Sequence, residues 1–434
     1  MRSKTGKKGA KKTDMKEFTV AIIGCGSRGA ESYGRIMSED KERFKIVALC
    51  DIDAGKLDKY SDLFGVGKES LFTDEKIFFE EKRADILVIA TMDNDHVRQC
   101  ERALELGYDI LLEKPITKEK AECDRLLKAH KKYGGKVVVC HVLRYAPAFL
   151  KVKSVLDSGI CGQLVMIDAI EQVCFWHQAH SFVRGNWRNS EESSPMILQK
   201  CCHDMDILQY YIGARCESVS SMGELRYFNR AHWPEGAAER CTECKFSKTC
   251  VYSAENIYVR NWKDIGSPAY CWPYTVLTNE YPLTEQALRE AIRTGPYGRC
   301  VFCCDNDVVD HQIVAMTFEN GVKANLRMTA FTPGGGRIMK LYCTEGMIEL
   351  DEAQNKLEVK CFDKPVVTYA LDTLVENGHN HGGGDNGLID DFYKVLTTEN
   401  SSATTLERSV ESHLMAITAE KSRVNGGILC RVHD

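Results

Sequence analysis

Phe18-Thr-Val-Ala-Ile-Ile-Gly24-Cys-Gly26-Ser-Arg-Gly29 is the stretch from which the fold of this chain can be read. Its apolar run, rich in Val and Ile, reads as a buried parallel strand. The run ends in G-x-G-x-x-G and passes into a helical pattern from Arg28 onward. In that context Gly24 permits a tight turn, Gly26 lets backbone approach a pyrophosphate, and Gly29 lets the helix pack on the strand. The helix N-terminus then offers free N–H groups and a positive dipole end to phosphates. A second strand, Lys45-Ile-Val-Ala-Leu-Cys-Asp51, ends in an acid 22 positions beyond Gly29. A carboxylate there holds the ribose hydroxyls of NAD and repels the extra phosphate of NADP. An ordinary glycine-rich turn would explain the first signal but not the second in register with it.

The chain has 434 residues, enough for two domains, and its 44% hydrophobic content suffices for a core. A net charge of −5 gives no general attraction to nucleic acid. Residues 1–16 form a basic arm with seven Lys or Arg and one Asp. It has no apolar face and no apolar core of a signal peptide, so it reads as a solvated arm. No apolar run approaches the length of a membrane span. Of the 20 cysteines, Cys25, Cys50, Cys140, Cys174, Cys343 and Cys361 sit inside apolar strands or helices. The expectation is reduced thiols in a cytoplasm.

From Phe18 to about Cys140, strands alternate with helical patterns, including the strands Asp85–Thr91, Tyr108–Leu112 and Lys136–Cys140. Asp95 is the expected N-cap of one helix, and Thr117 to Lys132 another helix. This rhythm predicts an α/β Rossmann domain over 17–141. After Ala148 the rhythm changes. A long strand from Gln163 to Val173, a helix from Asp204 to Ile212, close-set strands from Val308 to Ala370 and a closing helix from Thr404 to Val424 predict an α+β domain over 142–434. Its sheet is expected to be large, open and mostly antiparallel. Residues 226–300, rich in Cys, Pro, Trp and Tyr, read as an insertion.

Glu113-Lys114-Pro115 follows the strand ending at Leu112, at the carboxyl end of the sheet where ligands bind in such folds. A partly desolvated lysine beside a cationic ring can serve in proton transfer. Further on come Arg144-Tyr145 and Cys202-His203-Asp204-Met-Asp206, the latter opening a helix. Taken in this order, the four motifs resemble the glucose–fructose oxidoreductase, inositol dehydrogenase and MocA (Gfo/Idh/MocA) family over nearly the whole chain after the arm. The resemblance implies hydride transfer between NAD(P) and a hydroxyl of a sugar or polyol, and a homo-oligomer, dimer or tetramer. It makes Lys114 the catalytic lysine and His203 the histidine that binds and helps deprotonate the hydroxyl. An imidazole, titrating near neutrality, suits that task. The family's aspartate four residues before the histidine is Gln199 here, followed by Lys200. Glutamine can hydrogen-bond a hydroxyl but cannot be a base, so Lys200 is a candidate replacement.

The expected cofactor set is Gly24, Gly26, Ser27, Arg28, Gly29, Asp51, Thr91, His96, Glu113 and Lys114. The expected substrate set is Arg144, Trp176, His177, Arg184, Trp187, Gln199, His203 and His381. Aromatic faces and bidentate donors between Trp176 and Trp187 suit sugar recognition, as does the His379-Asn-His381-Gly-Gly-Gly-Asp385 loop, with Asp385 as the N-cap of the helix that follows. Cys241-x2-Cys244-x5-Cys250 in the insertion has a spacing that suits a structural Zn²⁺. The fourth ligand would be Cys271, Cys300, Cys303 or Cys304, and the alternative is unliganded thiols. Few aliphatic residues are there to build a core, so metal would supply cohesion. The reading is therefore an NAD-dependent oxidoreductase acting on a carbohydrate hydroxyl, with no nucleic-acid or membrane partner. Two alternatives stand beside it. One is a redox-neutral glycoside hydrolase working by oxidation, elimination, hydration and reduction. The other is a non-catalytic NAD-binding sensor.

Overall fold

The computed structural model describes residues 15–375, 381–398, 400 and 402–434. The basic arm up to Asp14, and His379, lie outside them. The first sheet contains β1 (Phe18–Ile23), β2 (Phe44–Cys50), β3 (Leu71–Phe72), β4 (Ile86–Ile89), β5 (Asp109–Leu112) and β6 (Val137–Val139). All pair in parallel, in the order β3-β2-β1-β4-β5-β6. Ile86-Leu-Val-Ile89 is buried at every position because both faces are covered, the reason its pattern shows no alternation. Along β1, Val20 and Ile22 belong to one apolar cluster, and Ala21 and Ile23 to the other. Strand order reverses between β1 and β4, which opens a crevice above their carboxyl ends.

Helix signals worked unevenly. Asp53 caps Ala54–Phe64 by accepting from the Gly55 and Lys56 amides, and Gly65 ends that helix at φ 69°. Asp95 precedes His96–Glu105 but makes no side-chain cap; its carboxylate instead accepts from Arg98.

The second sheet contains β7 (Leu164–Gln172), β8 (Cys216–Glu224), β9 (His311–Phe318), β10 (Lys323–Thr329), β11 (Gly336–Cys343), β12 (Gly346–Asp351), β13 (Lys356–Cys361), β14 (Val367–Ala370) and β15 (Cys430–Arg431). Their order is β14-β13-β12-β11-β7-β10-β9-β8-β15. Every neighbouring pair is antiparallel except β7 and β10. The strands from Val308 to Ala370 are therefore not one continuous meander. β7 enters between β10 and β11 because alternation sets which face is buried, not which strand is the neighbour. Helices Cys202–Ile212 and Leu406–Val424 pack together, and the latter also packs on β8.

The insertion has a core of its own. Phe228, Tyr258, Trp262, Leu288, Tyr297 and Phe302 are buried together beside Val183. The expected shortage of aliphatic side chains is not found: Ile257, Val259, Leu283, Leu288, Ile292 and Val301 are buried there with the aromatic rings, each ring burying roughly 150–250 Å².

Candidate functional site

The glycine loop after β1 is built from close backbone approaches. A Cβ on Gly24 would lie 2.3 Å from the Ala90 carbonyl oxygen, and one on Gly29 would lie 2.0 Å from the Gly24 carbonyl oxygen. A Cβ on Gly26 would meet nothing within 4 Å, so this position faces open space. Gly26 also opens the helix Ser27–Gly34 without a side-chain cap, which leaves the first turn's N–H groups for an anion. Asp51 at the end of β2 braces the loop: its Oδ2 accepts from the Cys25 amide at 2.7 Å and its Oδ1 from the Asp53 amide at 2.9 Å. Each carboxylate oxygen has a second lone pair, so ribose hydroxyls can still be accepted there. These residues fit a dinucleotide.

Other members of the expected cofactor set turn out to hold the walls of the crevice. Arg28 is not aimed at the crevice. Its Nε donates to Glu113 at 2.8 Å and its two terminal nitrogens reach Asp385 at 2.8 and 3.1 Å. Tyr33 donates to the same Glu113 oxygen at 2.6 Å. The other Glu113 oxygen accepts the Lys114 amide at 2.8 Å. Burial opposes the charge on Glu113, but Arg28 and Lys114 win and hold its carboxyl below the ordinary range. Asp385 likewise is not an N-cap. It lies inside the helix Gly384–Thr397, with its carboxylate turned to Arg28 and held well below the usual range against its burial. His96 is buried, with Nδ1 2.7 Å from the Pro115 carbonyl and Nε2 3.2 Å from that of Thr91. The Thr91 hydroxyl donates to Gln99 at 2.6 Å.

Lys114 reaches from the end of β5 to the short helix Met196–Gln199. Its ammonium donates to the Gln199 main-chain carbonyl at 3.0 Å. Gln199 thus contributes its backbone oxygen to the lysine, while its side chain is buried. His203, one turn on, is 7% exposed, and its Nδ1 has no hydrogen-bond partner among the described residues. Burial, then the charges of Lys114 and His381, push its pKa well below the ordinary value, so the ring is neutral near pH 7. The His381 ring lies 6.0 Å from that of His203, and its Nδ1 is 3.2 Å from Asp385. His177 is neutral for a similar reason: burial first, then Lys200, His180 and Lys114. Lys114, Lys200 and the imidazoles of His203, His177 and His381 therefore converge on one cleft.

Sequence reasoning missed part of this cleft. Lys200 pairs with Glu171 at 3.2 Å, Arg337 with the other Glu171 oxygen at 3.0 Å, and Arg337 with Asp204 at 2.8 Å. Burial raises the Asp204 carboxyl to about 6 against the pull of Arg337. Glu171 follows Ile167 and Ala169 at an inward position of β7, and that alternation was the available signal. Asp93, just beyond β4, is 5% exposed, and burial raises its carboxyl while His96 and Lys114 lower it. Trp272, from the insertion, sets its ring 5.1 Å from His177 and 5.4 Å from Trp176.

Three further expectations need correction, those for Arg144, Arg184 and zinc. Arg144 does not face the cleft: it is buried in a bidentate pair with Asp206 at 2.7 Å and also donates to Gln209 and the Ala403 carbonyl. Arg184 lies under the insertion, donating to the Arg299 and Tyr252 carbonyls at 2.7 Å. Trp187 packs beside Phe182, one ring removed from His177. The zinc expectation finds no support, since among the described residues no group of three or more His, Cys, Asp or Glu is placed to hold a metal. Cys241 instead lies 3.5 Å from the Arg184 guanidinium, a fixed cation that disfavours a second one.

Residues 18–141 match the family model described as an oxidoreductase family with an NAD-binding Rossmann fold, and residues 153–429 match its C-terminal alpha/beta domain. The chain is similar to the Bacillus subtilis protein YteT, at 25% identity over 395 residues, spanning 86% of this chain and 88% of YteT. It is also similar to the 2,7-anhydro-N-acetylneuraminate hydratase of Mediterraneibacter gnavus, at 25% identity over 262 residues, spanning 60% of this chain and 64% of that one. In fold it resembles levoglucosan dehydrogenase in complex with NADH, with a TM-score of 0.70 at 15% identity, covering 96% of this chain and 99% of that one. It likewise resembles the WlbA dehydrogenase of Bordetella pertussis in complex with NADH and UDP-GlcNAcA, with a TM-score of 0.67 at 15% identity and the same two coverages. With residues 18–141 and 153–429 matched, the chain belongs to the Gfo/Idh/MocA family of NAD-binding oxidoreductases.

Proposed function

We propose that this chain transfers a hydride between NAD and a hydroxyl-bearing carbon of a sugar, polyol or glycoside, with Lys114 and His203 handling the proton. The observation that carries this reading is Lys114. Its ammonium leaves the first sheet and is fixed at 3.0 Å on the Gln199 carbonyl, on the rim that also holds His203. One of three N–H vectors is thereby committed, and two remain to orient a hydroxyl. His203, held neutral beside Lys114, accepts the hydroxyl proton. NAD, when bound, supplies the hydride acceptor. Gly24, Gly26, Ser27, Gly29, Asp51 and Thr91 would hold it, with Arg28, Glu113 and His96 keeping their loops in place. Trp176, His177 and His381 would line the substrate, and Trp272 joins them. Relatives named for levoglucosan and UDP-GlcNAcA support a carbohydrate. A cytoplasmic setting accords with all 20 cysteines being free thiols. The family supports a homo-oligomer.

A screen of sugars, inositols and aryl glycosides with NAD tests the reading. NADH should accumulate with at least one polyol or sugar, and the loss of that signal in Lys114→Ala should follow. A second reading, redox-neutral elimination, is favoured by two observations: Gln199 replaces the usual aspartate, and a hydratase stands among the relatives. Its signature is aglycone release from aryl glycosides without net NADH.

A further inference from the structure

Residues 270–281 of the insertion run between the two rims of the crevice. On the substrate rim, the Trp272 ring lies 5.1 Å from His177 and 5.4 Å from both Trp176 and His180. On the other rim, the same segment is tied to the first two helices of the Rossmann fold. Asn279 donates to Asp53 Oδ2 at 3.1 Å, just past the end of β2, and Thr275 donates to Glu31 at 3.3 Å, on the helix that follows the glycine loop. The Arg35 guanidinium lies 4.9 Å over the Tyr270 ring, and the Lys59 ammonium 5.2 Å from it. Gly55 leaves room for the tie: a Cβ there would come within 3.2 Å of Asn279 Nδ2.

Trp272 on one side, and Tyr270, Thr275 and Asn279 on the other, mark the two ends of a bound dinucleotide. Asp51 and Asp53 stand where the adenosine ribose sits in such folds, and His177 stands within the field of Lys114 at the reacting end. We propose that residues 270–281 are a strap across the mouth of the dinucleotide crevice, so that NAD enters and leaves only when the Asp53–Asn279 and Glu31–Thr275 hydrogen bonds part. This rests on the NAD reading above. The ties are polar and partly exposed, so each is individually weak and the strap can open. Opening has to break them together with the ring contacts of Trp272, and exchange of the nucleotide is consequently slow.

Stopped-flow fluorescence of NADH binding and displacement by excess NAD tests the strap. A gate and a direct contact differ in kinetics. Loosening a gate raises the association and dissociation rate constants together, whereas removing a contact to the nucleotide raises dissociation alone. Asn279→Asp sets a second carboxylate against Asp53 and should speed both rates about tenfold, the size of about one lost hydrogen bond. Asp53→Asn in the Asn279→Asp background restores a donor–acceptor pair and still caps its helix, so both rates should return toward the parent values. The thermal melting of each variant reports whether it is folded. Thr275→Val, which leaves Asp53 untouched, should move both rates in the same direction by a smaller factor. Equal rates in parent and variants overturn the strap. Faster dissociation with unchanged association also overturns it, making Asn279 a nucleotide contact. A parent that binds no NADH at any concentration instead refutes the NAD reading on which the strap depends, and is told apart by the absence of any fluorescence change.

Discussion

Lys114 is the residue on which most of the proposed chemistry turns. Lys114→Ala should lower kcat by about 10²–10⁴-fold, with NADH affinity near the parent value, as for other positioned acid–base groups. His203→Ala should fall in the same range, and an unaltered kcat in either variant contradicts the assignment. Lys200→Ala separates two cases. As a proton carrier Lys200 would cost a comparable factor. As a partner of Glu171 alone it would leave kcat within a few-fold. At the other end of the crevice, the parent should bind NADH more tightly than NADPH. Because Asp51 also braces the Cys25 amide, Asp51→Ala should narrow that preference and weaken both nucleotides, read by fluorescence titration. Residues of this kind were legible when the backbone itself demanded them: only glycine fits 2.3 and 2.0 Å from carbonyl oxygens. Arg144 and Arg184 were not, because a sequence shows a guanidinium but not its partner. One found Asp206 and the other found main-chain carbonyls.

Among elements, the insertion departs most from its sequence reading. Its cysteine spacing suggested a metal staple, yet cohesion comes from rings packed around Leu288 and Tyr258, with Arg184 threaded beneath Cys241. The consequence is measurable. Cys244→Ser should change stability by no more than about 0.5 kcal/mol, as for a partly exposed side chain without a special role, whereas Leu288→Ala should cost about 2–5 kcal/mol of stability in whatever unit melts with the insertion. Denaturant titration distinguishes them, and a large loss in Cys244→Ser would restore the metal. The aromatic core was unreadable because irregular chain has no period to expose its inner face. The parallel strands of the first sheet were readable for the opposite reason, since continuous apolar runs between turns have few other uses. The β7–β10 pairing was not, because strand patterns carry no information about which neighbour a strand will find.

Across the whole molecule, the two sheets meet through buried titratable groups, and this sets how the fold responds to acid. His141, His180, His203 and His413 are buried and His177 is half-buried, and all five have pKa values pushed below the ordinary one, chiefly by desolvation; for His180 and His413 the value falls to about 3. His413 is fully committed: its Nδ1 donates to the Ser409 carbonyl at 2.7 Å and its Nε2 accepts the Ile116 amide at 2.8 Å, so a proton on Nε2 would set donor against donor. The unfolded chain takes up protons at these rings near pH 6.5, and the folded chain does not. Stability is therefore fully present above that pH and is lost as pH falls below it, by about 1.4 kcal/mol per pH unit for each ring that stays neutral. Glu113 and Asp385, whose folded values are depressed, add losses of the same sign at lower pH. Asp204 acts the other way. Raised to about 6, it takes its proton in the folded chain first and offsets roughly one histidine between pH 6 and 4. Burial also raises the carboxyls of Asp93, Asp206 and Glu352, which act with the sign of Asp204, so the five rings are partly offset and unfolding near pH 5 takes up a net proton count smaller than the number of rings. Denaturation midpoints should accordingly fall between pH 7 and 5. His413→Gln keeps an acceptor for the Ile116 amide but cannot titrate, so its midpoint should depend less steeply on pH by about one proton. A parent whose midpoint is flat over that interval would mean that these rings are protonated in the folded chain, and His203 could then not be the neutral acceptor that the proposed reaction requires.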